Sequence, residues 1–276
     1  MTIRDVLGRA TEYLAKKGVE NPRLDAELIL GKALGLSRLE LYTGHDRPVT
    51  EAERTQAREL IERRGRREPL AYVLGEWGFR RLMLTCDRRA LVPRPETEIV
   101  VERCVALLDG LAEPAVLDIG TGTGAIALAV ADEHPGARVT AVDRSSDALA
   151  LARENAQRTG IEITLLQGDI GDGLPRGPFD LVVSNPPYVL VDELPELEPE
   201  VRDWEPREAI IDEGQTEAVA AAAREVLAPG GWIVLETHGE GAARVAQIVA
   251  EKGYAAIRTT KDLSRRERVV EAQWRM

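Results

Sequence analysis

The sequence has few of the residues that build metal sites, disulfide frameworks or aromatic cores. Of its 276 residues only two are cysteine and three are histidine, and these five are scattered singly along the chain. Because a structural metal site needs a spaced set of ligands, we expect buried reduced thiols, surface imidazoles and no bound metal. Aromatic residues make up 4% of the chain, whereas apolar residues reach 44%. Small aliphatic side chains must fill most of the core, which suits helices packed on a parallel sheet.

Long apolar runs are also missing. No run approaches the roughly 20 apolar residues of a membrane-spanning helix. The first residues, M-T-I-R-D-V, lack the basic-then-apolar pattern of a signal peptide. We therefore expect a cytoplasmic protein without membrane contact.

Positive charge is scarce in the larger part of the chain. Residues 1–90 carry 18 basic and 14 acidic side chains, whereas residues 91–276 carry 18 basic and 33 acidic ones. A region this acidic repels a phosphate backbone. The charge distribution disfavours DNA or free RNA as the main substrate.

The first seventy residues show helical periodicity. One predicted helix has an apolar face made of Ile3, Val6, Leu7, Ala10 and Leu14. A second is expected to begin with Asn21 as its cap and Pro22 at its first position. A third should run from about Thr50 into R-R-G-R-R at residues 63–67, which we interpret as a solvated face or a surface for a polyanion such as ribosomal RNA. The stretches L-M-L-T and A-L-V around C-D-R-R predict a β-hairpin. The expected domains are therefore helical residues 1–76, a hairpin linker over 77–92 and a second domain over 93–276.

From Ala115 onward, strands alternate with helices. The predicted strands are A-V-L-D-I, R-V-T-A-V-D, I-T-L-L-Q, F-D-L-V-V-S, W-I-V-L-E after a P-G-G turn, and R-V-V-E-A. One intervening helix is expected to open at Ser145 or Ser146. This order predicts an α/β fold with a doubly wound parallel sheet, in which ligands bind at the carboxyl ends of the strands.

A glycine-rich loop follows the first of these strands. In D-I-G-T-G-T-G-A, the glycines at 120, 122 and 124 permit close approach of the backbone to a ligand, and the next helix offers its N-terminal amides. Asp143 ends the next strand, where a carboxylate can accept both hydroxyls of a ribose. Asp169 and Ile170 follow the third strand, placed for an adenine amino group and ring. These acids together indicate nucleotide binding.

The kind of nucleotide is less clear from this loop. G-T-G-T-G-A also satisfies the loose pattern of NAD sites, with Asp143 near the expected spacing. Asp118 could reach the methionine end of S-adenosylmethionine, and N-P-P-Y stands at the tip of the fourth strand. A hydride-transferring enzyme would need an acid-base partner at that tip. The pattern therefore favours S-adenosylmethionine.

The N-P-P-Y stretch suits an acceptor nitrogen bonded to an sp² carbon. The Asn185 side-chain oxygen and the Pro186 carbonyl could each accept one hydrogen of an NH₂ group, which would fix the nitrogen in plane. Tyr188 could stack on the planar group and exclude water. Such a nitrogen is a poor nucleophile, so the site must work mainly by positioning, worth up to roughly 7–11 kcal/mol.

These residues resemble a known family of enzymes. D-I-G-T-G-T-G with N-P-P-Y is similar to the methyltransferases that act on amide or amino nitrogens. The resemblance extends over nearly the full chain through P-R-L-D-A-E-L-I-L at 22–30, R-E-P-L-A-Y-V-L-G at 67–75, L-V-P-R-P-E-T-E at 91–98, W-E-P-R at 204–207 and D-L-S-R-R-E-R-V-V at 262–270. Together the stretches resemble the peptide chain release factor glutamine methyltransferases, the PrmC or HemK family.

The resemblance implies a fold and a reaction. The fold is a small all-helical N-terminal domain joined by a β-hairpin to a doubly wound, seven-stranded class I methyltransferase sheet of Rossmann-like type. The reaction moves a methyl group from S-adenosyl-L-methionine to the glutamine amide nitrogen in the Gly-Gly-Gln motif of bacterial class 1 release factors. The product S-adenosyl-L-homocysteine is left, and translation termination is modulated. We expect a monomer that binds a release factor and makes no direct contact with DNA.

Site residues follow from the matching motifs. The cofactor residues would be Asp118, Gly120, Thr121, Gly122, Thr123, Gly124, Asp143, Asp169, Ile170 and Asn185. The glutamine would be held by Asn185, Pro186, Pro187 and Tyr188, with Asn185, Pro186 and Tyr188 as the catalytic residues. Residues 93–97 match a segment that the family places beside the active site. Two stretches differ from the family pattern, A-I-I-D-E-G-Q after W-E-P-R and L-E-T-H-G-E-G at 235–241.

Other interpretations remain open at this stage. An amino-directed DNA methyltransferase could flip a nucleobase amine into the same pocket, although the acidic region and the lack of an inserted base-reading segment disfavour it. A ribosomal-protein glutamine methyltransferase is a closer relative, disfavoured by P-R-P-E-T-E. A non-catalytic nucleotide-binding protein would tolerate loss of Asn185, which is present. The acidic run at 192–213 is either a solvated loop or a rim that attracts a basic protein loop.

Overall fold

The computed structural model describes residues 1–275, which form two compact units. One unit comprises Met1–Glu76 and Leu197–Trp204, and the other comprises Trp77–Glu196 and Glu205 onward. The second segment of the first unit was not expected from the sequence. The predicted division at residues 76 and 92 stays a prediction.

The first unit is built from helices. They are α1 (Ile3–Lys16), α2 (Pro22–Leu34), α3 (Arg38–Thr43), α4 (Glu51–Gly65), α5 (Leu70–Leu74) and α9 (Pro199–Arg202). Thr2, Ser37 and Thr50 each cap a helix through a capping box. In this motif the capping hydroxyl accepts a hydrogen bond from the backbone amide three residues later, and the acidic side chain of that later residue accepts one from the backbone amide of the cap. Asn21 precedes Pro22 as expected, but its side chain makes no capping bond.

Most of the basic stretch at 63–67 is paired with carboxylates, whereas Arg66 is exposed. Three of its arginines bind carboxylates within this unit, Arg63 to Glu68, Arg64 to Asp25 and Glu200, and Arg67 to Glu198 and Glu200. Because Glu198 and Glu200 belong to the acidic run, part of that run is also paired. The pairing of these three arginines disfavours the interpretation of the stretch as a surface for a polyanion.

The second unit begins with a hairpin and contains a seven-stranded sheet. The hairpin consists of β1 (Glu76–Phe79) and β2 (Leu82–Thr85). The prediction of L-M-L-T as a strand is confirmed, whereas the prediction of A-L-V as a strand is wrong. The sheet strands are β3 (Ala115–Ile119), β4 (Arg138–Asp143), β5 (Thr164–Gln167), β6 (Phe179–Ser184), β7 (Leu227–Glu236), β8 (Tyr254–Lys261) and β9 (Glu267–Trp274). Its helices are α6 (Thr97–Leu107), α7 (Ala125–Glu133), α8 (Ser146–Thr159), α10 (Gln215–Val226) and α11 (Ala242–Glu251). Ser145 caps α8 through its hydroxyl, as predicted.

The strand order is β5-β4-β3-β6-β7-β9-β8, with helices on both faces. The first five strands of that order are parallel, as predicted. The expectation of an all-parallel sheet is wrong at one edge, where β9 runs antiparallel to both β7 and β8. The strand β8 was missed, and the expected P-G-G turn lies within β7 at a shift in register. The doubly wound part still brings the ends of β3, β4, β5 and β6 to one edge.

Cys86 and Cys104 are free and buried, as expected, and burial raises the pKa of both thiols. The three imidazoles are partly exposed. None of the helices within residues 1–275 combines the length and apolar character that crossing a lipid bilayer requires.

Candidate functional site

A cavity of about 920 Å³ opens at the carboxyl ends of the parallel strands. Most of the predicted site residues line it, namely Gly120, Thr121, Gly122, Thr123, Asp143, Asp169, Ile170, Asn185, Pro186 and Pro187. Pro93, Arg94 and Thr97 form part of the same wall. Asp118, Gly124 and Tyr188 were also predicted, but they do not line the cavity. Neighbouring parallel strands end together, which explains why residues far apart in sequence meet here.

The glycine loop has the backbone conformation that its sequence requires. Gly120, Gly122 and Gly124 have φ values of 74°, 56° and 82°, which side-chain-bearing residues rarely adopt. A β-carbon at Gly124 would lie 3.3 Å from side-chain atoms of Ala152 and Leu128. Gly124 therefore serves the close packing of α7 on α8, whereas Gly120 and Gly122 shape the cavity wall.

Asp118 supports the loop from behind the cavity. Its side chain is fully buried, and its Oδ2 accepts a 2.6 Å hydrogen bond from the Thr121 hydroxyl. Burial raises the pKa of Asp118 to about 7. Since Thr121 lines the cavity and Asp118 does not, the visible role of this carboxyl is to orient Thr121. Its predicted contact with a methionine group stays a prediction.

Asp143 joins the glycine loop to the end of β4. Its Oδ2 accepts from the amide of Gly122, and its Oδ1 accepts from the amide of Ser145, each at 2.9 Å. Burial raises the pKa of this carboxyl, and the two amides act in the opposite direction. Each oxygen keeps a second lone pair, so the carboxylate can still accept hydroxyl groups from a ligand.

Asp169 and Ile170 form the far side of the cavity. The Asp169 side chain is exposed, and its Oδ1 accepts from the amide of Gly171 at 2.9 Å, which caps a short 3₁₀ helix. Ile170 packs against the core between the sheet and α10. This arrangement places a polar acceptor beside an apolar side chain, as a flat ring with an amino group requires.

The N-P-P-Y loop is tied down on both sides. Before it, the Ser184 hydroxyl donates to the Ile119 carbonyl at 2.7 Å. After it, the Val189 amide donates to the Ile210 carbonyl at 3.1 Å, and the Val189 carbonyl accepts from the backbone amide of Asp212 at 2.9 Å. The two prolines fix φ between these anchors. The backbone of the loop is therefore held in place on both sides, and Asn185 and Pro186 line the cavity.

Tyr188 turns away from the cavity toward His238. The two ring centroids are 5.6 Å apart and tilted by 45°. Burial raises the pKa of Tyr188 to about 12, so the phenol is neutral at physiological pH. The sequence predicted stacking over an acceptor group, and that contact stays a prediction.

Two polar residues that support the site were not found from the sequence. Asn155 is buried in α8, where its side-chain NH₂ group donates to the Thr123 carbonyl at 2.9 Å and to the Thr85 carbonyl at 3.1 Å. Its side-chain oxygen accepts from the Thr85 backbone amide at 2.7 Å. Glu205, in W-E-P-R, is buried and accepts from Arg94 at 2.5 Å. For Asn155, the available signal in the sequence was a polar residue at a position of helix α8 that faces the core. The pairing of Glu205 with Arg94 joins two of the stretches singled out above.

Comparison with known sequences identifies both parts of the chain. A family described as "PrmC N-terminal domain" matches residues 5–75, and one described as "Methyltransferase domain" matches residues 112–272. A release factor glutamine methyltransferase of Geobacter sulfurreducens is 42% identical over 98% of this chain and 95% of its own length. A Deinococcus radiodurans protein of the same name is 41% identical over 99% of both chains.

Solved structures agree on the fold of the second unit. A methyltransferase from Pyrococcus furiosus covers 71% of this chain and 90% of its own, with a TM-score of 0.50 and 18% identity. A 16S rRNA N2 G1207 methyltransferase of T. thermophilus, in complex with AdoMet and guanosine, has a TM-score of 0.53 and 20% identity over 72% of this chain and 50% of its own. At these identities the likeness concerns the fold alone.

Proposed function

Because this chain belongs to the release factor glutamine methyltransferase family, we propose that it methylates the side-chain amide nitrogen of the glutamine in the Gly-Gly-Gln motif of class 1 release factors. The observation that carries the proposal is the anchored N-P-P-Y loop, whose Asn185 and Pro186 line a nucleotide-sized cavity. The family resemblance supports the same substrate.

The cavity fits S-adenosyl-L-methionine, which supplies the methyl group when bound. Its volume of about 920 Å³ lies within the usual range for small-molecule and cofactor sites, roughly 300–1,000 Å³. Gly120 and Gly122 leave room beside the backbone, Asp143 offers lone pairs for ribose hydroxyls, and Asp169 with Ile170 suits the adenine. Thr121, Thr123 and Asn185 complete the proposed cofactor residues at the wall.

The acceptor amide is oriented by groups that only accept hydrogen bonds. The Asn185 side-chain oxygen and the Pro186 carbonyl take one N–H hydrogen each, which directs the nitrogen π lone pair along a single axis. These bonds strengthen as positive charge develops on the nitrogen, because a more acidic N–H is a better donor. Pro187 holds the loop. Stacking of the neutral Tyr188 ring over the amide requires that ring to move from its contact with His238 into the cavity.

The protein substrate meets an acidic surface. Asp192, Glu193 and Glu196 follow the N-P-P-Y loop and are exposed. We propose that they form a rim that attracts a basic loop of the release factor. The same negative charge disfavours direct contact with DNA. We further propose a cytoplasmic monomer, since its substrate is a soluble translation protein.

Replacing Asp143 with alanine should weaken cofactor binding by about 10- to 100-fold. The substitution removes a charged acceptor, whose hydrogen bonds are worth about 1.5–3 kcal/mol, and it frees the amide of Gly122. Isothermal titration with S-adenosyl-L-homocysteine measures the Kd. Asp147→Ala, at an exposed acid in the first turn of helix α8, which follows Asp143 in the chain, is the matched control and should leave the Kd unchanged. Equal Kd values for both variants would contradict the assignment of Asp143.

Transfer of labelled methyl groups tests the proposed function. The wild-type protein is incubated with labelled S-adenosyl-L-methionine and a class 1 release factor, a copy with the motif glutamine changed to alanine, a ribosomal protein fraction, or unmethylated DNA. We expect label on the intact release factor alone. Label on DNA or on ribosomal protein would replace this function with one of the rival ones. No label in any arm, despite bound cofactor, would support a non-catalytic role.

A further inference from the structure

A single buried side chain joins two walls of the cavity. One wall is the glycine loop, and the other is the wall segment, residues 89–94, which follows β2 in the chain. Asn155 of α8 is hydrogen-bonded both to Thr123 in the glycine loop and to Thr85, the last residue of β2. Asn155 itself does not line the cavity. Any effect of this side chain on a bound ligand must therefore pass through the two walls.

The hydrogen bonds use the whole side-chain amide of Asn155. Its NH₂ group donates one hydrogen to the Thr123 carbonyl at 2.9 Å and the other to the Thr85 carbonyl at 3.1 Å, while its oxygen accepts from the Thr85 backbone amide at 2.7 Å. Turning the amide over would place its oxygen against two carbonyl oxygens, so this pattern fixes its orientation. Because the side chain is fully buried, a bond lost at this position is not replaced by bulk water.

The glycine loop depends on anchors because its backbone has much conformational freedom. Three of the five residues 120–124 are glycine, which loses more conformational entropy on ordering than any other residue. The amides of residues 120–122 donate to acceptors at the end of β4 at distances between 2.8 and 3.1 Å. These bonds hold the first half of the loop. Asn155 adds an anchor to the second half, at Thr123.

The same amide fixes the start of the chain that leads into the wall segment. Thr85 is bound at both its backbone groups, and the wall segment follows it within a few residues. Within that segment, Ala90 packs against α8. A β-carbon at Gly122 would lie 3.8 Å from the Ala90 side chain, so the wall segment and the glycine loop adjoin. Asn155 therefore connects two neighbouring walls whose separation sets the width of the cavity.

We propose that Asn155 is a positioning residue for cofactor binding, which holds the glycine loop and the wall segment in their binding arrangement before the cofactor arrives. The inference rests on the proposed function, because it takes S-adenosyl-L-methionine as the ligand. Walls that are already ordered leave less conformational entropy to be lost on binding. Without Asn155 the walls would have the binding arrangement for only a fraction of the time, and the apparent Kd would rise by the inverse of that fraction.

Asn155→Leu tests this role without any ligand, because leucine has a similar size and forms no hydrogen bonds. NMR relaxation on the full-length protein gives the backbone order parameters of residues 121–124. We expect values of about 0.85 in the wild type, as for a rigid backbone, and values below about 0.6 in Asn155→Leu. Gln157→Leu makes the same kind of change at an exposed position of α8 and should leave the loop as rigid as in the wild type.

Isothermal titration with S-adenosyl-L-homocysteine measures the effect on binding. Asn155→Leu should weaken the Kd by about 10- to 30-fold, as expected from the loss of one or two net hydrogen bonds. Val249→Ala removes buried apolar atoms from α11, away from the cavity, and should lower the stability of the same unit without changing the Kd. Equal weakening by both variants would show a general loss of stability and would overturn the inference. If Asn155→Leu does not fold, Asn155→Ser, whose short side chain does not reach both walls, should show the same two effects.

Steady-state kinetics separate positioning of the cofactor from an effect on the chemical step. In Asn155→Leu the KM for S-adenosyl-L-methionine should rise, whereas kcat at saturating cofactor and the KM for the release factor should stay within a few-fold of wild type. A lower kcat with an unchanged KM for the cofactor would contradict the inference, as would a rigid loop and a wild-type Kd in this variant. Failure of the wild type to label the release factor would instead remove the proposed function, while the order of the ligand-free loop would still decide the role of Asn155.

Discussion

Replacing Asn185 with alanine is expected to lower the rate constant of methyl transfer by about 10²- to 10³-fold, the usual cost of removing one preorganised polar group from a transition-state site. The Asn185 oxygen binds an N–H whose acidity grows as the nitrogen becomes positive, so the lost interaction is stronger in the transition state than in the ground state. Labelled methyl transfer at saturating cofactor and release factor measures the effect. The fall should appear in kcat more than in KM.

Two controls separate this effect from damage to the protein. Asn21→Ala makes the same chemical change at an exposed position whose side chain forms no capping bond, and it should leave kcat unchanged. The affinity of Asn185→Ala for S-adenosyl-L-homocysteine should stay within a few-fold of wild type, because the other wall residues remain. A loss of kcat below tenfold would mean that the Pro186 carbonyl alone orients the amide.

Replacing Arg64 with alanine should reduce the free energy of unfolding of the first unit by about 3–5 kcal/mol. Arg64 is buried, and it donates to Asp25 at 2.6 Å, to Glu200 at 2.7 Å and to the Glu68 carbonyl at 3.1 Å. Without it, the buried Asp25 carboxylate has lost its cation. Denaturant unfolding, followed by the fluorescence of tryptophan and by circular dichroism, measures the change.

The pH dependence identifies the cause of this loss. Burial raises the pKa of Asp25 above its value in the unfolded chain. Such a group is less unfavourable in the folded state when it is protonated, so the destabilisation by Arg64→Ala should shrink as the pH falls. Arg58→Ala, at an exposed position of the same helix, should change the free energy by less than about 0.5 kcal/mol. An equally large effect at both arginines would show that helix α4 is destabilised in general.

Much of the fold could be predicted from local pattern. The strands β3 to β6, the glycine loop, the opening of α8 at Ser145 and the start of α4 near Thr50 were placed correctly, because each depends on neighbouring residues in the sequence. The strand β8 was missed since Y-A-A-I-R-T-T-K lies at the sheet edge and mixes polar with small residues. The antiparallel direction of β9 was missed because strand order is decided by packing across the whole sheet.

The candidate site was predicted in part. Asp143 and Asn185 lie at or just after the end of a strand, within unusual motifs. They were found because the spacing of these motifs is visible in the sequence. Glu205 and Asn155 were not found, since their partners lie 111 and 32 residues away. Tyr188 was found as a motif residue, but its side chain contacts His238 and does not line the cavity.

The sequence by itself determined which chemistry this protein can perform. The glycines that allow positive φ, the strand-end acids and the rigid N-P-P-Y loop are properties of short stretches, and together they indicate methyl transfer to a planar nitrogen. Only the tertiary structure decided which polar groups lose contact with water. Burial of Asp118 and Arg64 comes from elements distant in the chain, and desolvation sets the pKa and the energy of a charged group. That environment has no local signature, so these residues became visible only after the chain was folded.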